Sequence, residues 1–340
     1  MQRIIHDYKN INSIFDDLEQ YYALTSEKET HNTLFEPVFD ESFGDLQRLF
    51  NIYGNCSFNF NLVKKPVKKE KFVGDKKNLI LCFSGGKDSI AAALHYKQLG
   101  YNVYLYHMRH INFALSDEYI HAQNLAEELD MPIYIDDIKL SGHHDWCEHP
   151  MKNMVIANGA LNYGIREGIG TKIGFGNYYT STVLLDNFDF CGGDDIEMWN
   201  AYEKIIRRII PDFHIYVGLK NLGTTLKKVC SEDKLLELSV SCLGRANLRE
   251  YRHNWVKEKF GITLPKNRCG SCYKCCIEYI YMADHNLQEY NEEYYKYCLK
   301  QLKKNSVKEN GIVYNNYEDM WTSYFFYPIE KSHLQLCEIM

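Results

Sequence analysis

The chain has 340 residues, 45% of them hydrophobic, enough to bury one large domain with appendages. Its formal charge of −6, from 45 acidic against 39 basic residues, argues against a broad nucleic-acid footprint, which needs a basic surface. Twelve cysteines, with no leader pattern and no long apolar run, point to a soluble cytoplasmic protein whose thiols are reduced or hold metal, with no membrane partner.

Residues 1–77 form an extension ahead of the main domain. Ile4, Tyr8, Ile11, Phe15, Leu18 and Tyr22 recur at helical spacing, and Asp45 to Ile52 reads as a second helix. Phe58, Phe60 and Leu62 alternate with polar residues, as in a half-buried strand. Such stripes face a core or a partner, so the extension reads as a packing or docking surface. Lys64 to Lys77 holds seven lysines and reads as a solvated linker. Its alternative role is a phosphate or nucleic-acid contact.

From Asn78 to about Leu235 strands and helices alternate. Strands are predicted at Asn78–Phe83, Val103–Met108, Ile133–Ile138, Lys172–Phe175 and His214–Val217. Helices are predicted at Asp88–Leu99, Ser116–Leu129, Met151–Glu167 and Ile196–Ile210. Gly100 stands where a helix ends in a left-handed residue, and Ser116 where a helix is capped. Repeated βα units imply a parallel, doubly wound sheet with helices on both faces, whose ligands bind beyond the carboxyl ends of the strands. Residues 236–283 carry a cysteine cluster, and 284–340 form a helical, tyrosine-rich C-terminal part with an aromatic tail.

The first of these strands ends in Ser84-Gly85-Gly86-Lys87-Asp88-Ser89 and a helix begins at once. Strand, glycine turn and helix start make an anion site, because glycines admit close backbone approach and the helix terminus offers unbonded N–H groups. The order of residues is neither a Walker A loop nor a dinucleotide fingerprint. Ser84 and Ser89 offer hydroxyls, Gly85 and Gly86 backbone amides, and Lys87 a cation. Asp88 beside a polyphosphate makes sense as a helix cap or as a ligand of Mg²⁺.

Cys269, Cys272 and Cys275 follow at two-residue intervals, with Cys276 next door and Cys242 upstream. Thiolates at this spacing enclose a metal, and four of them make a closed zinc site. An iron–sulfur cluster is the rival occupant.

The hexapeptide matches Ser-Gly-Gly-x-Asp-Ser, and the chain resembles the PP-loop ATP pyrophosphatases. That resemblance implies an adenine nucleotide alpha hydrolase-like fold. It also implies a turn holding the β,γ-pyrophosphate of ATP, so that AMP is transferred and pyrophosphate released. With the upstream cysteine and Cys-Gly-x-Cys-x-x-Cys, residues 78–282 resemble the 7-cyano-7-deazaguanine synthases (QueC-like proteins). This implies a zinc site of Cys242, Cys269, Cys272 and Cys275, and places Ser84, Lys87, Asp88 and Ser89 at the reaction. Gly174-Phe175-Gly176-Asn177 and Asp194-Asp195 match that family's strand end and substrate loop. The substrate implied is a 7-deazaguanine-type acid, activated by ATP and attacked by ammonia or another amine. The chain departs from the family in its 77 leading residues, in a wider interval from Cys242 to Cys269, and in Phe190 to Glu197, which lacks the family's arginine. Extended relatives of this kind resemble the QueC-like proteins of anti-phage defence operons, and the missing segment and added N-terminal part point to a variant in which a protein amine is the acceptor and the extension a partner surface. The other readings are a PP-loop tRNA thiolation enzyme and a non-catalytic nucleotide-binding subunit.

His143, His144, Asp145, Cys147 and His149 read as a polar loop facing the site, with metal as the alternative. Arg109, His110 and Asn112, after the second strand, are candidates for nucleotide or substrate contact. Cys147 and Cys191 are conceivable nucleophiles without an identifiable orienting group.

Overall fold

The structure, a computed structural model, describes residues 31–35, 58–62, 74–110, 118–138, 152–178, 196–219, 228–229, 233–240, 246–304, 308–309 and 312–313. The helices predicted at residues 4–22 and 45–52 lie outside these, as does Ser116. The strand expected at Phe58 to Leu62 is present as β2, paired in parallel with β1 (His31–Phe35).

The alternating region folds as its periodicity requires. In order come β3 (Asn78–Cys82), α1 (Lys87–Gln98), β4 (Asn102–His110), α2 (Glu118–Leu129) and β5 (Ile133–Ile138). They are followed by α3 (Lys152–Arg166), β6 (Lys172–Tyr178), α4 (Ile196–Ile209) and β7 (His214–Leu219). The five strands form one sheet in the order β5-β4-β3-β6-β7. β3 pairs in parallel with β4 and β6, and β4 with β5. The starts of β6 and β7 meet where the His214 amide donates to the Thr171 carbonyl at 3.3 Å, so β7 runs the same way. Chain progression reverses between β3 and β6, which makes their carboxyl ends the switch point where such sheets bind ligands.

All five residues of β3 are buried, which is why the strand reads as a continuous apolar run. Its side chains alternate between the faces. Ile80 lies against Gly164 of α3, whereas Leu79 and Leu81 flank Gly174 and Tyr96 of the last turn of α1. Both faces are therefore covered. α3 and α4 join through the Tyr202 hydroxyl, which donates to the Asn158 side chain, and Trp199 of α4 packs on Phe175 of β6. α1 ends at Gly100, φ +82°, where the Tyr101 amide reaches back to the Tyr96 carbonyl at 3.1 Å.

Gly159 lets α3 approach the sheet. A β-carbon there would overlap the Tyr106 hydroxyl and stand 2.7 Å from Met108 Cε. Tyr106 cannot yield, because its hydroxyl donates to the buried Asp136 carboxylate at 2.5 Å. Gly159→Ala is therefore expected to destabilise the protein by about 1–3 kcal/mol or more, read as a lower urea midpoint with unchanged slope.

The remaining elements are α5 (Asp233–Leu238), α6 (Ala246–Phe260), α7 (Tyr273–Asp284), α8 (Glu292–Lys304), β8 (Lys308–Glu309) and β9 (Ile312–Val313), the last two paired. Asn291 caps α8, its side-chain oxygen accepting from the Tyr294 amide at 2.9 Å. Two compact units divide the described residues. One holds β1 to β7, α3, α4 and the last turn of α1. The other holds the glycine turn, the first part of α1, α2 and everything from α5 onward. Among the described residues no helix is long and apolar enough to cross a membrane.

Candidate functional site

β3 leads directly into the glycine turn. Phe83 closes the strand edge, its amide donating to the Tyr106 carbonyl at 2.8 Å and its carbonyl meeting His107 Nδ1 at 2.8 Å. Gly85 then takes φ +75°, a left-handed conformation that glycine enters without cost. A β-carbon there would stand 3.3 Å from the Ala122 amide nitrogen and 3.5 Å from Leu125. Gly85→Ala is expected to cost about 1–3 kcal/mol of stability, checked by a urea denaturation curve.

The two serines converge. Ser84 Oγ and Ser89 Oγ lie 3.4 Å apart, Ser84 Oγ accepts from the Gly86 amide at 3.3 Å, and Ser89 Oγ donates to the Gly86 carbonyl at 2.9 Å. Both hydroxyls thus bond to the backbone of Gly86, with Ser84 exposed and Ser89 buried. α1 begins at Lys87, so its first-turn amides stand at the turn. Lys87 is buried, and its ammonium pairs with the Asp88 carboxylate at 3.1 Å. Asp88 therefore sits inside the first helical turn, not at the cap position. There its charge suits the helix dipole and neutralises Lys87.

The second cluster is the three-cysteine knuckle at the start of α7. The Sγ atoms of Cys269, Cys272 and Cys275 lie within 4.8 Å of one another. Cys275 Sγ is 3.9 Å from that of Cys269 and 3.4 Å from that of Cys272. A zinc–sulfur bond of about 2.3 Å implies a tetrahedral edge of about 3.8 Å, so these sulfurs fit three corners around one ion. In a four-iron cubane cluster each thiolate binds a separate iron, which spreads the sulfurs further apart. The amides of Ser271 and Cys272 donate to Cys269 Sγ at 3.4 and 3.3 Å, which favours its thiolate. The donor set therefore fits a single soft metal ion.

Cys276 does not join this group. Its thiol lies 4.0 Å from the Gly270 carbonyl. Its hydrogen bond to Cys298, then burial, push the thiol far above the usual range. Helical geometry is the reason: a residue adjacent to Cys275 on α7 points about 100° away from it. Cys242 lies outside the described residues.

Other predicted positions behave differently. Arg109 lies inside β4, which runs on to His110, and its guanidinium makes a bidentate pair with Asp137 at 2.5 Å. That pairing cross-links β4 to β5. Gly174 and Gly176 are interior to β6, with Gly174 paired to Leu81, so they are not at the strand end. Asn112, His143, His144, Asp145, Cys147, His149, Cys191, Asp194 and Asp195 lie outside the described residues, as do residues 64–73 of the lysine run.

Sequence reasoning missed Arg268. It is 2% exposed and holds Glu278 of α7 through two bonds of 2.9 and 2.8 Å. Its position next to Cys269 was the available signal, but an arginine beside a metal knuckle ordinarily reads as surface. It missed Asp136 as well, whose carboxyl burial raises above the usual range.

No protein-family model matches the chain, and no curated protein matches it. Fifteen chains of solved structures do. One is the U34-tRNA thiolase NcsA from Methanococcus maripaludis with its 4Fe-4S cluster. It is 14% identical, with 65% of this chain and 74% of that chain covered, at a TM-score of 0.33. At that score the likeness carries no argument, and the fold class rests on the sheet itself. Fold and site together define a doubly wound α/β protein with a glycine turn after its first core strand and a three-thiol centre able to hold a metal.

Proposed function

We propose that this chain is an ATP-dependent, AMP- and pyrophosphate-forming ligase of the PP-loop kind. The observation that carries this reading is the turn: a buried strand at the switch point, a left-handed Gly85, two converging serine hydroxyls and a helix start in six residues. Gly85, Gly86, Ser84 and Ser89 would hold the β,γ-pyrophosphate of ATP, leaving the α-phosphorus open. Lys87 would oppose the charge that builds on the leaving pyrophosphate. Asp88 would offer a carboxylate to the Mg²⁺ that ATP carries, and Mg²⁺ would supply charge neutralisation.

The acid substrate is a 7-deazaguanine-type carboxylate. Its oxygen attacks the α-phosphorus, the bond to the bridging oxygen breaks, and pyrophosphate leaves. Ammonia then attacks the acyl-adenylate, AMP leaves, and the amide forms after loss of a proton. A second activation, through the amide oxygen, gives the nitrile as AMP leaves with that oxygen. Catalysis here is positioning and charge stabilisation, with no protein base needed for a neutral amine. Cys269, Cys272 and Cys275, with Cys242 as the fourth ligand, would hold a structural Zn²⁺. Residues 1–77 would dock a partner protein, in which case a protein amine replaces ammonia, as in an antiviral defence role in the cytoplasm.

The test is pyrophosphate release from Mg-ATP with 7-carboxy-7-deazaguanine and a panel of other acids, with products identified by mass spectrometry. Acid-dependent pyrophosphate in step with AMP is the expected result. ATP binding without acid-dependent release would leave a nucleotide-binding subunit instead. The rival, tRNA thiolation at an iron–sulfur centre, runs against the acidic charge and the close sulfurs. Anaerobically purified protein is expected to be colourless, and a broad visible absorption band would favour the rival.

A further inference from the structure

Three segments of one unit meet end to end between the knuckle and the glycine turn. Lys266, Asn267 and Arg268 immediately precede Cys269. The Lys266 amide donates to Glu237 Oε2 at 2.8 Å and the Asn267 side chain to the Glu237 carbonyl at 3.3 Å. Arg268 donates to the Ser239 carbonyl at 2.5 Å and to its hydroxyl at 2.8 Å. Asn267, at φ +63°, is the bend that turns these groups toward the segment after α5. The next residue, Val240, donates its amide to the carbonyl of Gly85 at 3.1 Å. On its other side Arg268 grips Glu278, three residues after Cys275 on α7.

We infer that Arg268 is a positioning residue that couples the metal centre to the anion turn. Metal at the three thiols fixes both ends of its grip: Cys269, which adjoins its backbone, and α7, which carries Glu278. A guanidinium so held has one planar orientation, and that orientation presents two donors to Ser239. Ser239 in turn sets Val240 against Gly85, the residue whose conformation opens the turn. Without metal the start of α7 loses its anchor, the fork loses its plane, and the turn loses its bond to Val240. Metal occupancy and nucleotide affinity are therefore linked, and the linkage is reciprocal. The inference rests on the reading that the turn binds ATP, but its structural half, metal-dependent order at Gly85 and Val240, does not.

The experiment uses the full chain in zinc-loaded and chelator-stripped forms. Amide hydrogen exchange is followed at Ile90 and Val240, which bond to Gly86 and Gly85, and at the core strands β3 to β5 as reference. Stripping is expected to speed exchange at Ile90 and Val240 by about tenfold while β3 to β5 stay protected, and to raise the Kd for Mg-ATP by a similar factor. Arg268→Lys and the milder Ser239→Ala are made in parallel, with metal content measured. Both are expected to keep zinc, show fast exchange at the turn, and respond little further to stripping. Unchanged exchange at the turn on stripping, loss of protection throughout the sheet, or variants that retain full metal dependence would each overturn the coupling. Absence of ATP binding to the zinc-loaded wild type would overturn the ligase reading, and the exchange data would still decide the coupling.

Discussion

Cys275→Ser is expected to leave the purified protein with almost no bound metal and to destabilise the unit that carries the knuckle by about 1–3 kcal/mol, with β3 to β5 keeping their protection. Cys275 is the natural target because its sulfur touches both of the others, at 3.9 and 3.4 Å. Serine is nearly isosteric, so the packing of the start of α7 is spared and the loss reports on the thiolate. Cys276→Ser is the control. That thiol faces Gly270 and Cys298, and its replacement is expected to keep metal at about one ion per chain. Metal analysis by mass spectrometry together with urea unfolding reads both. If Cys276→Ser empties the centre and Cys275→Ser does not, the ligand assignment is wrong. Because thiols must lose protons to bind metal, the wild type is expected to release it as pH falls.

Glu278→Gln carries the second large expected effect, about 3–5 kcal/mol of destabilisation. Arg268 and Glu278 are each 2% exposed, and the carboxylate takes two bonds from one guanidinium. The amide keeps the volume but leaves a buried cation without its counter-charge, and one of its donors faces the guanidinium. The loss is read from the urea midpoint at constant slope. Replacing both partners, as in Arg268→Met with Glu278→Leu, is expected to recover only part of it, since the buried ion pair is replaced but the Ser239 carbonyl loses its donor. A shift below about 1 kcal/mol for Glu278→Gln would mean that water reaches the pair.

The abundance of tyrosine has a structural account. Tyr106, Tyr202, Tyr279 and Tyr294 are fully buried, and each carries its hydroxyl to a partner. Tyr106 donates to Asp136 and Tyr202 to Asn158, while Tyr279 reaches the Glu289 carbonyl and Tyr294 that of Gly270. Tyr294 thereby supports the knuckle from α8. Burial drives its phenol far above the usual range, so it stays a donor at any working pH.

Local pattern was enough for the sheet, because a buried parallel strand leaves a mark that depends on no distant residue. Leu79 to Phe83 had to be apolar throughout, and Gly100 had to tolerate a positive φ. The turn was legible for the same reason: backbone access and hydroxyls are demanded by six consecutive residues. The cysteine spacing was legible because Cys272 and Cys275 are one helical turn apart. Local pattern failed where a partner is remote. Arg109 read as a candidate for nucleotide or substrate contact until β5 supplied Asp137, and the surroundings of Cys276 were set by Cys298 of α8.

The sequence by itself determined the βα order, the glycine turn and the three-thiol spacing, since each is set by neighbours within about one turn or strand. Tertiary structure alone decided which groups those features touch. Ser239 and Arg268 are 29 residues apart and Arg268 and Glu278 are 10 apart, yet one buried guanidinium joins all three. A long charged side chain with no local period reads the same whether solvated or buried, and only packing shows that Arg268 is held inside.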